Sequence, residues 1–139
     1  MDQNQHKAKS LVISCIDYRF IRPTVNMMGD TKFDYTTVAG SSLGLNSNEL
    51  WRKTFTDQID LAIKLHNIEE IVIVDHIDCG MYKKIYGDEY SGNKRYQLHH
   101  YNISWAIKNL SRRYPLLKIK GYLLEMNGKS LAVDIMGGL

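Results

Sequence analysis

Both cysteines of this chain, Cys15 and Cys79, fall in polar stretches that follow short apolar runs. The first stretch, Ser14-Cys15-Ile16-Asp17-Tyr18-Arg19, comes after Leu11-Val12-Ile13. The second, Asp75-His76-Ile77-Asp78-Cys79-Gly80, comes after Ile71-Val72-Ile73-Val74. Thiolate and neutral imidazole are preferred donors for zinc. Cys15, His76 and Cys79 would supply three ligands and leave a fourth position open, the pattern of a catalytic rather than a structural zinc. A lone cysteine is more often a small core hydrophobe, and a lone histidine is more often structural. Their joint placement at two run ends is what points to a metal.

Asp17 and Arg19 share alternation parity with Cys15 if the strand continues through them, so all three would face one side. An arginine there would hold the carboxylate ionised and oriented. The carboxylate could then accept a hydrogen bond from a metal-bound water. The same pair reads equally well as a surface ion pair of little worth, and Asp17 could instead take the fourth zinc position itself. Asp78, between the two ligands of the second stretch, is either a carboxylate that orients one of them or a solvated loop residue. His66 is read as a helix-end residue interacting with the dipole. His99 and His100 adjoin on a helix and point in different directions.

The elements that must position these residues follow from periodicity. Short runs rich in branched aliphatics read as buried parallel strands, over Ser10–Ile16 and Glu70–Val74; Asp34–Val38 is strand-like, and a further strand covers Ile119–Met126. Both polar stretches then lie at carboxyl ends of strands, where open α/β sheets place their ligands. Residues 1–9 read as a disordered or loosely attached arm. Thr24–Met28 reads as a short helix with Pro23 in its first turn, and Ala39-Gly40-Ser41-Ser42-Leu43-Gly44 as a flexible loop able to approach a ligand closely. A helix capped by Asn46, with Glu49 completing a capping box, buries Trp51, Phe55, Ile59 and Ile63 and ends at Asn67. Gly80–Tyr86 starts a helix directly after Cys79, and residues 87–94 form a loop. A long helix from Arg95 to Tyr114 buries Ile103, Ile107, Leu110 and Tyr114 and stops at Pro115. Asn127-Gly128 signals a hairpin returning as Ser130–Met136. The expected class is α/β, a mostly parallel central sheet flanked by helices with a C-terminal antiparallel edge strand.

At 139 residues the chain is expected to form a single domain, 1–139, with a sizeable core. A net charge of +3, with basic residues interspersed among acids, does not argue for nucleic acid. No apolar run approaches the roughly 20 residues of a membrane span, and the polar start lacks a signal peptide's apolar segment. A cytoplasmic setting is expected, where two cysteines point to a metal or catalysis more than to a disulfide. Neither cysteine sits in a Cys-x-x-Cys unit, against a thiol-redox role, and no glycine fingerprint follows the first strand, against dinucleotide binding.

Taken together, Cys15-x-Asp17-x-Arg19, Ala39-Gly40 after the second strand, and His76-x-x-Cys79-Gly80 after branched aliphatics resemble the β-class carbonic anhydrases over roughly residues 11–86. The resemblance implies Zn2+ held by Cys15, His76 and Cys79, and a catalytic dyad of Asp17 and Arg19. The reaction implied is reversible hydration of carbon dioxide to bicarbonate by zinc-bound hydroxide. It further implies a homo-oligomer, dimer or tetramer, with the pocket commonly completed across a subunit interface. The chain departs from the family in carrying Thr37-Val38 where Arg-Asn usually precedes Ala-Gly, and in the short stretch ahead of Cys15, which leaves little for an N-terminal helical arm. Two other functions fit the same residues: a non-catalytic zinc-binding relative, and a zinc hydrolase of a related linear molecule such as carbon disulfide or carbonyl sulfide.

Overall fold

Leu11, Val12 and Ile13, and Ile71 to Val74, are apolar at every position, so strands built from them must be covered on both faces. In the computed structural model, which describes residues 6–133, they are the first and third strands of a five-stranded sheet: β1 (Ser10–Ser14), β2 (Phe33–Thr37), β3 (Glu70–His76), β4 (Lys118–Leu124) and β5 (Ser130–Val133). The order is β2-β1-β3-β4-β5, so β3 is central. All pairs are parallel except β4–β5, which is antiparallel. This is the expected mixed α/β architecture.

Alternation divides the core. Leu11, Ile13, Ile71 and Ile73 point to one face, where they pack with Phe55, Ile59, Ile103 and Ile107. Val12, Val72 and Val74 point to the other, with Phe20, Met27 and Met28. The first face is covered by α3 (Glu49–His66) and α5 (Lys94–Arg113), the second by α1 (Ile21–Met28). A short α2 (Ser42–Ser47) and α4 (Gly80–Tyr86) complete the helices. Among the described residues, no helix is long and apolar enough to cross a membrane.

Several boundaries differ from expectation, each for a local reason. β1 stops at Ser14 rather than Ile16, because Asp17 caps a 3-10 turn, Tyr18–Phe20, by accepting a hydrogen bond from the Arg19 amide. The first helix begins three residues early, at Ile21. The segment read as a flexible loop closes into α2, and Asn46 lies inside it, its amide donating to Asn102. The cap of α3 is therefore Asn48, which accepts from the Trp51 amide at 3.0 Å. Asn67 ends α3 in the left-handed region (φ +51°), as its position suggested. β3 runs two residues further than expected, through Asp75 and His76. Residues 7–9 are not loose: Ala8 is buried, its amide bonds to the His66 carbonyl, and the Lys9 amide bonds to that of Lys32. His66 itself bonds to the Asp34 carboxylate at 2.7 Å rather than serving only its helix end. The hairpin return is described only to Val133; residues 134–139, like 1–5, lie outside the described part.

Helix α5 seats on β4 through a glycine. A Cβ at Gly121 would meet Ile103 Cγ2 at 2.3 Å and Ile107 Cδ1 at 3.0 Å. Ile103 is fully buried and β-branched, so it has little freedom to yield. Gly121→Ala should therefore destabilise the fold by about 1–3 kcal/mol, read as a lower urea midpoint; an unchanged midpoint would refute this packing.

Candidate metal centre

The parallel pairing of β1 with β3 sets Ser14 beside Val74. Cys15 therefore leaves the sheet next to the last two residues of β3, of which His76 is the final one. Asp78 then takes a left-handed conformation (φ +62°). Short polar residues tolerate that region better than most, and the turn brings Cys79 back beneath His76 at the start of α4. The outcome is one cluster: a ligand atom each from Cys15, His76 and Cys79, all within 4.8 Å of one another, with the two sulfurs 4.0 Å apart. All three residues are buried.

The donor set fits zinc. Tetrahedral bonds of about 2.3 Å to sulfur and 2.1 Å to nitrogen put ligand atoms roughly 3.5–3.8 Å apart, close to the 4.0 Å between the two sulfurs. The carbonyl of Ile77 can only accept, so His76 Nδ1 donates to it at 2.8 Å and carries the ring proton. In the neutral ring Nε2 then holds a lone pair. Buried and, among the described residues, without a hydrogen-bond partner, Nε2 is the orphan that a metal would satisfy. His76 also stacks on Phe20, ring centroids 4.2 Å apart, which fixes the plane of the ring.

The two thiols share their protons unevenly. The hydrogen bond from Cys79 holds the Cys15 thiol below its ordinary value, against the effect of burial, and the Gly40 amide, 3.3 Å from the sulfur, adds to it. The same contact, with burial, pushes Cys79 up. Burial disfavours the charged His76 ring, but the neighbouring Cys15 thiolate outweighs it and raises the imidazole. Metal binding at these residues must therefore release protons. Gly40 reaches Cys15 because it adopts φ +81°, and any side chain there would meet Met81 at 2.9 Å.

Asp17 and Arg19 do meet, though not by strand alternation. Because β1 has ended, they are joined by the capping turn, and the guanidinium grips the carboxylate from Nε at 3.1 Å and Nη2 at 2.7 Å. Asp17 Oδ2 lies 3.7 Å from His76 Nε2, yet Asp17 is not one of the mutually close donors. Arg19 also donates from Nη1 to the Asp78 carboxylate at 3.0 Å and from Nη2 to the Asp78 carbonyl at 3.1 Å. Asp78, paired with Lys83 too, thus orients Arg19 rather than a zinc ligand, and it is not simply solvated. Val38, just ahead of Ala39-Gly40, is buried in the core, and its amide bonds to the Ser14 carbonyl.

Sequence reasoning missed what lies beneath the cluster. Asp75, His99, Tyr82, Tyr90 and Ser42 form a buried hydrogen-bonded group touching the Cys79 amide. Its one sequence signal was an aspartate closing an otherwise apolar strand. A cavity of about 680 Å³ between α5 and the β4–β5 edge is lined by none of the five candidate site residues.

The hydrogen bonds from Arg19 hold the Asp17 carboxyl down at about 2, well under the usual carboxylate value. A carboxyl depressed by folding contributes stability above its unfolded pKa and loses it as pH falls through the folded one. Asp17 is therefore ionised at every pH above about 4. In a carbon-13 NMR titration, Arg19→Gln should move the Asp17 midpoint from about 2 up toward 4. A wild-type midpoint already near 4 would rule out the grip.

A family model described as "Putative carbonic anhydrase" matches residues 5–134. An uncharacterised protein of Rickettsia bellii is 33% identical over 131 residues, covering 88% of this chain and 80% of that one. Among solved structures, a tetrameric β-carbonic anhydrase of Sordaria macrospora superposes with a TM-score of 0.65 at 16% identity, covering 93% of this chain and 82% of that one. A carbon disulfide hydrolase in its apo form superposes with a TM-score of 0.58 at 17% identity, covering 94% and 81%. Such identities speak for the fold, while the match over nearly the whole chain speaks for descent: this chain belongs to the carbonic anhydrase family so described, on the β-carbonic anhydrase fold.

Proposed function

We propose that this protein is a zinc-dependent carbonic anhydrase that interconverts carbon dioxide and bicarbonate. The observation that carries the reading is the orphaned His76 Nε2 facing two buried thiols beside an arginine-locked carboxylate. Cys15, His76 and Cys79 would hold the metal. Zinc bound there supplies a water whose pKa falls to about 7, available as a nucleophile near neutrality.

The chain's own residues do the rest. Ionised Asp17 is acceptor-only, so any hydroxyl beside His76 Nε2 must turn its proton toward Asp17 Oδ2 and its lone pair away. Arg19 keeps that carboxylate charged and fixed in direction. Asp78 and Lys83 hold Arg19 in place from the other loop. Phe20 stacks on the His76 ring and lies 5.6 Å from the Arg19 guanidinium, so one buried ring touches both the candidate ligand and the dyad.

Stopped-flow hydration of carbon dioxide by zinc-loaded protein at pH 7 and pH 9 tests the reading. Wild type should turn over, Cys15→Ser should lose both metal and activity, and Asp17→Asn should keep its zinc while losing roughly 10²-fold or more in rate. Zinc bound with no hydration at either pH would leave a non-catalytic relative. Hydrolysis of carbon disulfide in place of hydration would favour the second reading, which the similarity to a carbon disulfide hydrolase supports.

The homo-oligomer belongs to the same proposal. Ile16 (62% exposed), Tyr18 (81%), Ile21 and Val25 expose apolar side chains within the one segment that also carries the dyad, a feature more typical of an interface than of a free face. Sedimentation equilibrium should show a dimer or tetramer, with Tyr18→Glu shifting it toward monomer. A monomeric wild type at micromolar concentration would exclude this part.

A further inference from the structure

We infer that Tyr90 is a positioning residue for the metal centre, gripping Cys79 by its backbone through a buried hydrogen-bond chain that ends on Asp75. The inference rests on the zinc reading above. It concerns groups that neither ligate nor touch the reacting atoms.

The two ends of the chain set the direction of its bonds. The Cys79 amide can only donate, so the Tyr90 hydroxyl oxygen accepts it, at 3.3 Å. The Tyr90 proton then goes to His99 Nε2 at 2.7 Å. The Asp75 carboxylate, 2.7 Å from Nδ1, can only accept, so in the neutral ring the proton sits on Nδ1 and Nε2 is bare to take the one from Tyr90. The carboxylate is held in turn by the Tyr82 hydroxyl at 2.7 Å, the Ser42 hydroxyl at 2.8 Å and the Ser42 amide at 3.1 Å. Its charge is met by four donors from three helices, and no lysine or arginine pairs with it among the described residues.

Topology gives the chain its purpose. Asp75 precedes His76 on β3, and Cys79 ends the turn that follows. The path Asp75–His99–Tyr90–Cys79 therefore closes a ring around the segment that bears two of the three candidate ligands. The turn it spans includes Asp78 in a left-handed conformation, which favours few side chains and must be held from outside. His99 and Tyr82 are fully buried and Tyr90 nearly so. A partly satisfied network at that depth would be costly, so it fixes one geometry. Partners of this kind behind ligands usually matter for metal affinity about 10–100-fold.

The test compares Tyr90→Phe with Tyr114→Phe, a buried tyrosine whose hydroxyl bonds to Thr56 and Asp60 far from the centre. Zinc affinity is measured by competition with a chromophoric chelator, and thermal unfolding of the metal-free proteins is followed in parallel. We expect Tyr90→Phe to bind zinc about 10–100-fold more weakly and to alter the sulfur-to-metal absorption of the cobalt-loaded protein, while Tyr114→Phe loses only melting temperature. Equal zinc affinity in Tyr90→Phe and wild type would overturn the inference and leave the zinc reading standing. A wild type that binds no zinc would instead overturn that reading, and this inference with it. A second readout needs no variant: nitrogen-15 shifts of wild type should show His99 as the Nδ1–H tautomer, and the Nε2–H tautomer would break the chain.

Discussion

The register between β1 and β3 is the constraint on which the candidate centre depends. Ser14 pairs with Val74, so Cys15 emerges level with the end of β3, where His76 stands. A slip of one residue would turn every side chain of β1 to the other face and carry Cys15 away from Cys79. The two faces of the sheet enforce that register, because Leu11 and Ile13 fit the α3–α5 side and Val12 the α1 side. The ordinary hydrophobic core therefore also sets the spacing of two sulfurs.

Three carboxylates near the centre show how surroundings separate residues of one type. Asp17 lies at the surface of the site, bound by one guanidinium that keeps it ionised. Asp78 stands further out between Arg19 and Lys83, a charge among charges. Asp75 is buried and compensated chiefly by hydrogen-bond donors rather than cations. The first faces the space beside His76 Nε2, the second steadies the residue that steadies the first, and the third supports from within the turn that bears two of the candidate ligands.

Much of this was legible from residue order. Branched runs marked the strands, the Cys and His positions marked their ends, and Asn127-Gly128 marked the hairpin. What escaped has physical causes. Ser42–Ser47 contains serines, asparagine and a glycine, poor helix formers whose α2 is imposed by packing on α5 and by Asp75 accepting at its start. The pairing of Asp17 with Arg19 was anticipated for a wrong reason: alternation requires a strand, whereas the aspartate's own capping bond ended it. His99 could not be linked to Asp75 by spacing, because 24 residues and a change of element separate them. Long-range polar contacts leave no periodic trace.

The geometry also bears on whether Asp17 is itself a ligand. Its carboxylate accepts from the Arg19 amide, from Nε and from Nη2, three donors on two oxygens. To join Cys15, His76 and Cys79 it would have to surrender charge-assisted bonds, each worth about 1.5–3 kcal/mol before solvent screening reduces it. Arg19 would not follow, because Asp78 holds it through both side chain and backbone. Nor would the 3-10 turn survive unchanged, since Asp17 is its cap. In the proposed zinc reading Asp78 would act at a distance on the fourth position: by anchoring Arg19 it anchors Asp17 outside the three-donor cluster. A fourth position kept clear in this way is what separates a site that can admit water and substrate from one closed by four protein ligands.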